Sequence, residues 1–205
     1  MNRNRLQRLV SLTFLIFTLA EFIGGCNGQQ ANIALDTNSP VVSDSNWAVE
    51  INLPGVPNFH KVSDNLYRGA QPTKEGFREL EKLGIKTVVN LRAFHSDANE
   101  LKGTNLKYEH IEMTALHADK KDVVRFLKIA TDPNRTPVFV HCQRGADRTG
   151  TMCAAYRVVV QDWPKDKAIE EMTKGDFKFY SMWQNLVDFI RKLDVEKIRK
   201  QAGIK

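Results

Sequence analysis

Apolar positions change their spacing repeatedly along the chain, and from Trp47 onward the changes alternate short strands with helices. Phe59–Val62 and Leu66–Arg68 are predicted as short strands separated by the turn-forming Ser63-Asp64-Asn65. Pro72-Thr73 opens a helical stretch that places Phe77, Leu80 and Leu83 on one face, with Gly84 at the C-cap. Ile85–Leu91 is a β-branched run suited to a buried strand, and Leu106–Ile111 is a further strand. Asp119 stands as the N-cap of a helix with Val123, Phe126, Leu127 and Ala130 inward, ending before Asp132-Pro133-Asn134. Val138–His141 is another buried strand and Thr149–Gln161 a largely apolar helix, with helical segments at Lys165–Thr173 and Gln184–Lys200. Strands alternating with helices predict an α/β fold with a central, mainly parallel sheet flanked by helices on both faces. In such sheets ligands bind at the carboxyl ends of the strands, so chemistry is expected in the loop after Val138–His141.

The N-terminus follows a different pattern. Met1–Arg8 carries Arg3, Arg5 and Arg8 without an acid, and Leu9–Ala20 is nearly continuous apolar sequence. Twelve such residues are too few to span a bilayer comfortably as a helix, and the basic flank is that of a secretion signal. The next residues, Phe22-Ile23-Gly24-Gly25-Cys26, resemble the lipobox of bacterial lipoproteins. That resemblance implies cleavage before Cys26, lipid on its thiol and amine, and a membrane-anchored protein of the bacterial cell envelope facing the periplasm or exterior. An uncleaved anchor, or a cysteine that happens to follow an ordinary signal, are the alternatives. Gly28–Asn46 is polar and aperiodic, as a tether would be. The expected organisation is therefore a signal peptide at 1–25, a tether at 26–46 and one α/β domain at 47–205.

Composition narrows the class. Hydrophobic residues make up 42% and charged residues 26% of the 205, with only 12 Gly and 7 Pro, which excludes wholesale disorder and collagen-like repeats. Three cysteines do not make a disulfide scaffold. A net charge of +6 hints at nucleic acid, but the three arginines and one glutamate of residues 1–25 account for +2 of it. The remaining +4 is ordinary, and no nucleic-acid partner is expected.

The loop in question runs Cys142-Gln143-Arg144-Gly145-Ala146-Asp147-Arg148-Thr149-Gly150. A short strand-to-helix loop can turn successive N–H groups inward as an anion nest, to which the helix adds its free amides and dipole. Arg148 can grip two phosphate oxygens in a planar fork, and Gly145 lets the backbone approach a ligand closely. The same field favours a thiolate at Cys142. Such a thiolate can attack a bound phosphoryl group to give a phosphocysteine, which water hydrolyses, with the Thr149 hydroxyl helping the sulfur to leave. The substrate-binding set is then Gln143, Arg144, Gly145, Ala146, Asp147 and Arg148.

Val138–Gly150 resembles the phosphate-binding loop of the cysteine-dependent protein tyrosine and dual-specificity phosphatases. Leu66-Tyr67-Arg68-Gly69-Ala70-Gln71-Pro72 and Thr87–Arg92 extend the likeness over about Asn58 to Lys192. The Cys142 to Gly150 form is particularly similar to the atypical dual-specificity phosphatases of plants and fungi, some of which act on inositol polyphosphates and pyrophosphates. The resemblance implies a phosphatase domain, a phosphorylated protein as substrate or alternatively an inositol polyphosphate or phosphoinositide, and neither metal nor organic cofactor. It also implies an Asp general acid about thirty residues before the cysteine, where this sequence has none. Four groups stand in for it. Asp147 lies within a loop similar to that of myotubularin phosphatases, whose loop Asp has been proposed as the acid. Asp119 is equally a helix cap, Glu112 equally a strand residue, and His117 a loop residue. Arg144 adds charge suited to a multiply phosphorylated substrate, Arg92 follows a strand towards the same mouth, and Cys153 reads as packing. A phosphate-binding module without turnover is the alternative from another class.

Overall fold

The computed structural model describes residues 46–205, so the signal peptide, Cys26 and all but the last residue of the tether lie outside the described residues. Six strands, β1 (Val49–Glu50), β2 (His60–Ser63), β3 (Leu66–Gly69), β4 (Thr87–Arg92), β5 (Lys107–Met113) and β6 (Val138–His141), form one sheet in the order β1-β2-β3-β6-β4-β5. β3, β6, β4 and β5 run parallel, while β1 and β2 add an antiparallel edge. β6 is central, paired on both sides, and all four of its residues are buried. This explains why its sequence is almost wholly apolar rather than alternating.

Alternate residues of the strands feed two cores. Val88 and Phe139 face α1 (Lys74–Lys82), packing with Phe77 and Leu80. Val89, Val138 and Val140 face the opposite core, built with α2 (Lys120–Ala130), α3 (Asp147–Val160), α4 (Lys165–Lys174), α5 (Gln184–Arg191) and α6 (Val195–Ala202). The sheet is thus helix-covered on both faces. Thr73 caps α1 through a hydrogen bond from Gly76 N–H, and Gly84 follows that helix at φ +94°. Leu83, expected on the inner face of α1, is instead its half-exposed C-cap, because the helix ends one residue earlier.

The expected helix over Gln184–Lys200 is two helices. The break falls at Lys192-Leu193-Asp194, where Leu193 is buried and the Asp194 carboxylate accepts from Lys197 N–H to start α6. Helical apolar spacing continues across the junction, so a cap residue inside it was the sole signal. α3 is buried on nearly every side, and a bidentate pair between Arg157 and Glu171 fastens it to α4 (Nε–Oε2 2.8 Å, Nη2–Oε1 2.5 Å). Among the described residues no helix is long and apolar enough to cross a membrane.

Candidate active site

β6 ends at His141 and delivers Cys142 to the carboxyl edge of the sheet, where Cys142–Ala146 turns into α3. The turn requires Gly145, which has φ +70°; a Cβ there would stand 2.4 Å from the carbonyl carbon of Gly69. The carbonyls of Gln143, Arg144, Gly145 and Ala146 face outward to hydrogen-bond donors. Cys142 O lies 3.4 Å from His141 Nδ1, and Gln143 O accepts from the Gln71 backbone N–H at 3.4 Å. Arg144 O accepts from Asn58 Nδ2 at 2.9 Å. Arg68 Nη2 donates to both Gly145 O (2.8 Å) and Ala146 O (3.4 Å), the latter also accepting from Gly150 N–H at 2.7 Å. With the carbonyls held outward, the amides of Gln143, Gly145 and Ala146 have no acceptor among the described residues, and those of Arg144 and Thr149 point at Cys142 Sγ. α3 begins at Asp147 without a side-chain cap, so its first N–H groups are left for an anion.

Cys142 is buried, which alone would raise its pKa. The Thr149 hydroxyl, the Arg148 guanidinium and the amides of Thr149 and Arg144 outweigh burial and hold the thiol below its ordinary value. The Thr149 hydroxyl is itself buried without an oxygen or nitrogen partner, leaving the sulfur as its neighbour. Arg148 is pinned by Nη1 to Met113 O (3.2 Å) and Leu91 O (3.4 Å), at the ends of β5 and β4. The fold thus brings Arg148, Thr149 and the amides of Arg144 and Thr149 beside Cys142. Cys153 does not share this field: fully buried on α3, its thiol is pushed up to about 11.

The four stand-ins for the acid are placed differently. Asp119 caps α2, its carboxylate accepting from Lys121 N–H at 2.9 Å and pairing with Lys121 Nζ at 3.2 Å; these contacts lower its pKa. Asp147 is buried at the first turn of α3, and its Oδ1 accepts from Tyr180 N–H at 2.9 Å, tethering the segment before α5 to the loop. Glu112 is exposed on β5 and His117 exposed in the following loop. That loop is held to α5 by Asn185, which donates to Ala115 O and Leu116 O. Arg144 sits at the rim, bonding Lys178 O at 3.0 Å beside the Tyr180 ring. Arg92 donates to Gln71 Oε1 at 2.7 Å, so it braces the mouth through Gln71.

Asp97 is a site residue that the sequence reading missed. Fully buried in the loop after β4, its Oδ2 accepts from His141 Nε2 (2.8 Å) and its Oδ1 from Gln71 Nε2 (2.8 Å). Burial pushes its carboxyl up, but the bonds from His141 and Gln71 bring it below the usual range. Asp97 thus steadies both His141, the residue before Cys142, and Gln71, which holds Gln143 O. Its only signal was an Asp in a polar loop, Ser96-Asp97-Ala98-Asn99, which has no distinguishing spacing.

The model of a family described as "DSP-PTPase phosphatase fused to NAD+ Kinase" matches residues 55–187. The dual specificity protein phosphatase TpbA of Pseudomonas aeruginosa is 32% identical over 154 residues, covering 75% of this chain and 69% of that protein. Inositol diphosphatase DSP3 of Arabidopsis thaliana is 28% identical over 153 residues, covering 70% and 73%. A crystal structure of a cysteine-to-serine variant of P. aeruginosa TpbA in complex with pTyr superposes with a TM-score of 0.70. It is 29% identical and covers 78% of this chain and 98% of that one.

Proposed function

The chain belongs to the dual-specificity phosphatase family, and from that premise we propose that it hydrolyses phosphate monoesters of the phosphotyrosine type through a phosphocysteine on Cys142. The observation that carries the reading is the outward bonding of the four carbonyls from Gln143 to Ala146, which leaves loop amides without a protein acceptor beside a thiol held toward its thiolate form. A phosphate dianion seated there is bound by those amides and by Arg148. Sγ attacks phosphorus as the P–O bond to the leaving oxygen breaks, and the electron pair departs on that oxygen. Water then attacks the phosphocysteine, the S–P bond breaks, and the Thr149 hydroxyl donates to the departing thiolate. The oxyanion contacts strengthen as charge develops on the equatorial oxygens, so they act on the transition state.

Asp147 and Asp119 are both engaged, the first with Tyr180 N–H and the second as a helix cap. This favours leaving groups that depart without a proton, such as a phenolate. It also supports a second reading, cleavage of a diphosphate on an inositol ring, where the leaving group is itself a phosphate, in keeping with the name of the DSP3 relative. One panel decides: a phosphotyrosine peptide, a phosphoserine peptide and an inositol diphosphate, each with wild type and Asp147→Asn. The expected order is phosphotyrosine over phosphoserine by at least about tenfold, with Asp147→Asn changing the phosphotyrosine rate less than about tenfold. Preference for the inositol diphosphate by the same margin replaces the first reading with the second. A loss of phosphoserine turnover above tenfold in Asp147→Asn restores Asp147 as the acid.

The order of basic flank, apolar run, Gly24-Gly25 and Cys26 supports lipid attachment at Cys26 and a place in the bacterial cell envelope. Globomycin is expected to block processing of the full chain, and cleavage that continues in its presence rejects the lipid anchor.

A further inference from the structure

Among the described residues Arg68 is the largest fully buried side chain, with 1% of its surface exposed, and no carboxylate there lies within ion-pair distance of it. Burial lowers its pKa, and Glu171, whose charge reaches it, is itself bonded twice to Arg157. Phe177 covers one face of the guanidinium, 3.7 Å from ring centroid to Cζ. Its Nε has no hydrogen-bond partner, and Nη2 goes to Gly145 O and Ala146 O alone. A buried cation satisfied only by two carbonyls is costly to a fold, so its persistence points to an anion elsewhere that repays it. Glu171 and, more weakly, a thiolate at Cys142 are anions whose charge favours the Arg68 cation.

We propose that Arg68 is a positioning residue of the phosphate cradle: by fixing the Gly145 and Ala146 carbonyls outward it holds the adjacent amides inward, and it places a second positive charge beneath the loop. The inference rests on the phosphatase reading but concerns a different residue and a different act. Arg148 reaches the bound phosphoryl oxygens from the mouth, whereas Arg68 acts from β3 through the backbone and touches no substrate. Lysine cannot replace it, since an ammonium neither stacks flat on Phe177 nor presents a planar donor fork. Gln71 and Asn58 hold one carbonyl each, so Arg68 governs the larger share of the turn.

The test uses Arg68→Met and Arg68→Lys, with Phe126→Leu as a core variant on α2, outside the loop sequence, that lowers stability. Three quantities are read on the purified protein: the pH midpoint of iodoacetamide alkylation of Cys142, inhibition by inorganic vanadate, and kcat and KM on an aryl phosphate. Arg68→Met is expected to raise the alkylation midpoint by about one unit, weaken vanadate at least about tenfold and lower kcat/KM about 100-fold. Arg68→Lys is expected to fall between it and wild type, while Phe126→Leu keeps the wild-type midpoint. If Arg68→Met does not fold, Arg68→Lys decides alone. An unchanged midpoint with vanadate inhibition within twofold in a folded Arg68 variant overturns the proposal, as does loss of folding in both. If wild type binds vanadate and alkylates at low pH but hydrolyses nothing, the phosphatase reading fails while Arg68 is still judged by the first two measurements.

Discussion

Cys142→Ser is expected to lower turnover of an aryl phosphate by at least about 10⁴-fold while a phosphotyrosine ligand still binds. The serine hydroxyl occupies nearly the same volume, so the turn, whose carbonyls are held by Asn58, Arg68 and Gln71, has no reason to rearrange. What changes is the nucleophile. The Thr149 hydroxyl, the Arg148 guanidinium and two amides overcome burial to favour a thiolate, and the same set acts on a hydroxyl whose starting acidity is many units weaker. The variant therefore keeps the cradle and loses the covalent step. The loss is expected in kcat, with the dissociation constant for a phosphotyrosine peptide within about threefold of wild type, by calorimetry on the variant and competition on wild type. Turnover within tenfold of wild type would remove Cys142 from the nucleophile's role, since an amide cradle with Arg148 alone would then suffice. Loss of binding together with turnover would mean that the thiolate is part of what organises the turn.

The loop after β6 was legible because its residues are local: strand, Cys142, Gly145, Arg148 and helix start follow within a dozen positions, and their spacing carries the geometry. β6 was read to the residue for the same reason, a short β-branched run bounded by Pro137 and by the loop. The surroundings of the loop were not legible in that way. Asn58, Arg68, Gln71 and Asp97 come from three separate segments that meet only because β3 and β4 flank β6 in the sheet. Arg68 and Gln71 lay in a segment recognised by resemblance, but nothing in it said that an arginine would be buried there and bonded to carbonyls. The acid candidates show the opposite difficulty. A carboxylate in a loop reads alike whether it is free, caps a helix as Asp119 does, or tethers a neighbour as Asp147 does. Sequence spacing gives position along the chain, and the engagement of a polar side chain is decided by what the fold brings beside it.

Gly145→Ala is expected to lose about 3 kcal/mol or more of stability and at least about 100-fold in kcat/KM. Two effects add at this position. The residue stands at φ +70°, where a side chain costs about 1 kcal/mol. The added Cβ would lie 2.4 Å from Gly69 C, 2.5 Å from Gly69 O and 2.6 Å from Ala70 N, all backbone atoms that cannot turn aside. Gly203 separates the two, for it has φ +74° with nothing within 4 Å of its would-be Cβ, so Gly203→Ala should show the conformational cost alone. The excess at Gly145 must be met by pushing the turn away from β3, and that movement lengthens the Arg68 bonds to Gly145 O and Ala146 O. The loop amides then lose their common aim, which is why activity should fall further than stability alone requires. Urea unfolding of both variants beside their kinetics measures this. Equal stability losses at the two glycines, or a Gly145→Ala enzyme within tenfold of wild type, would show that the turn has room to move and that its contact with β3 does not set the cradle.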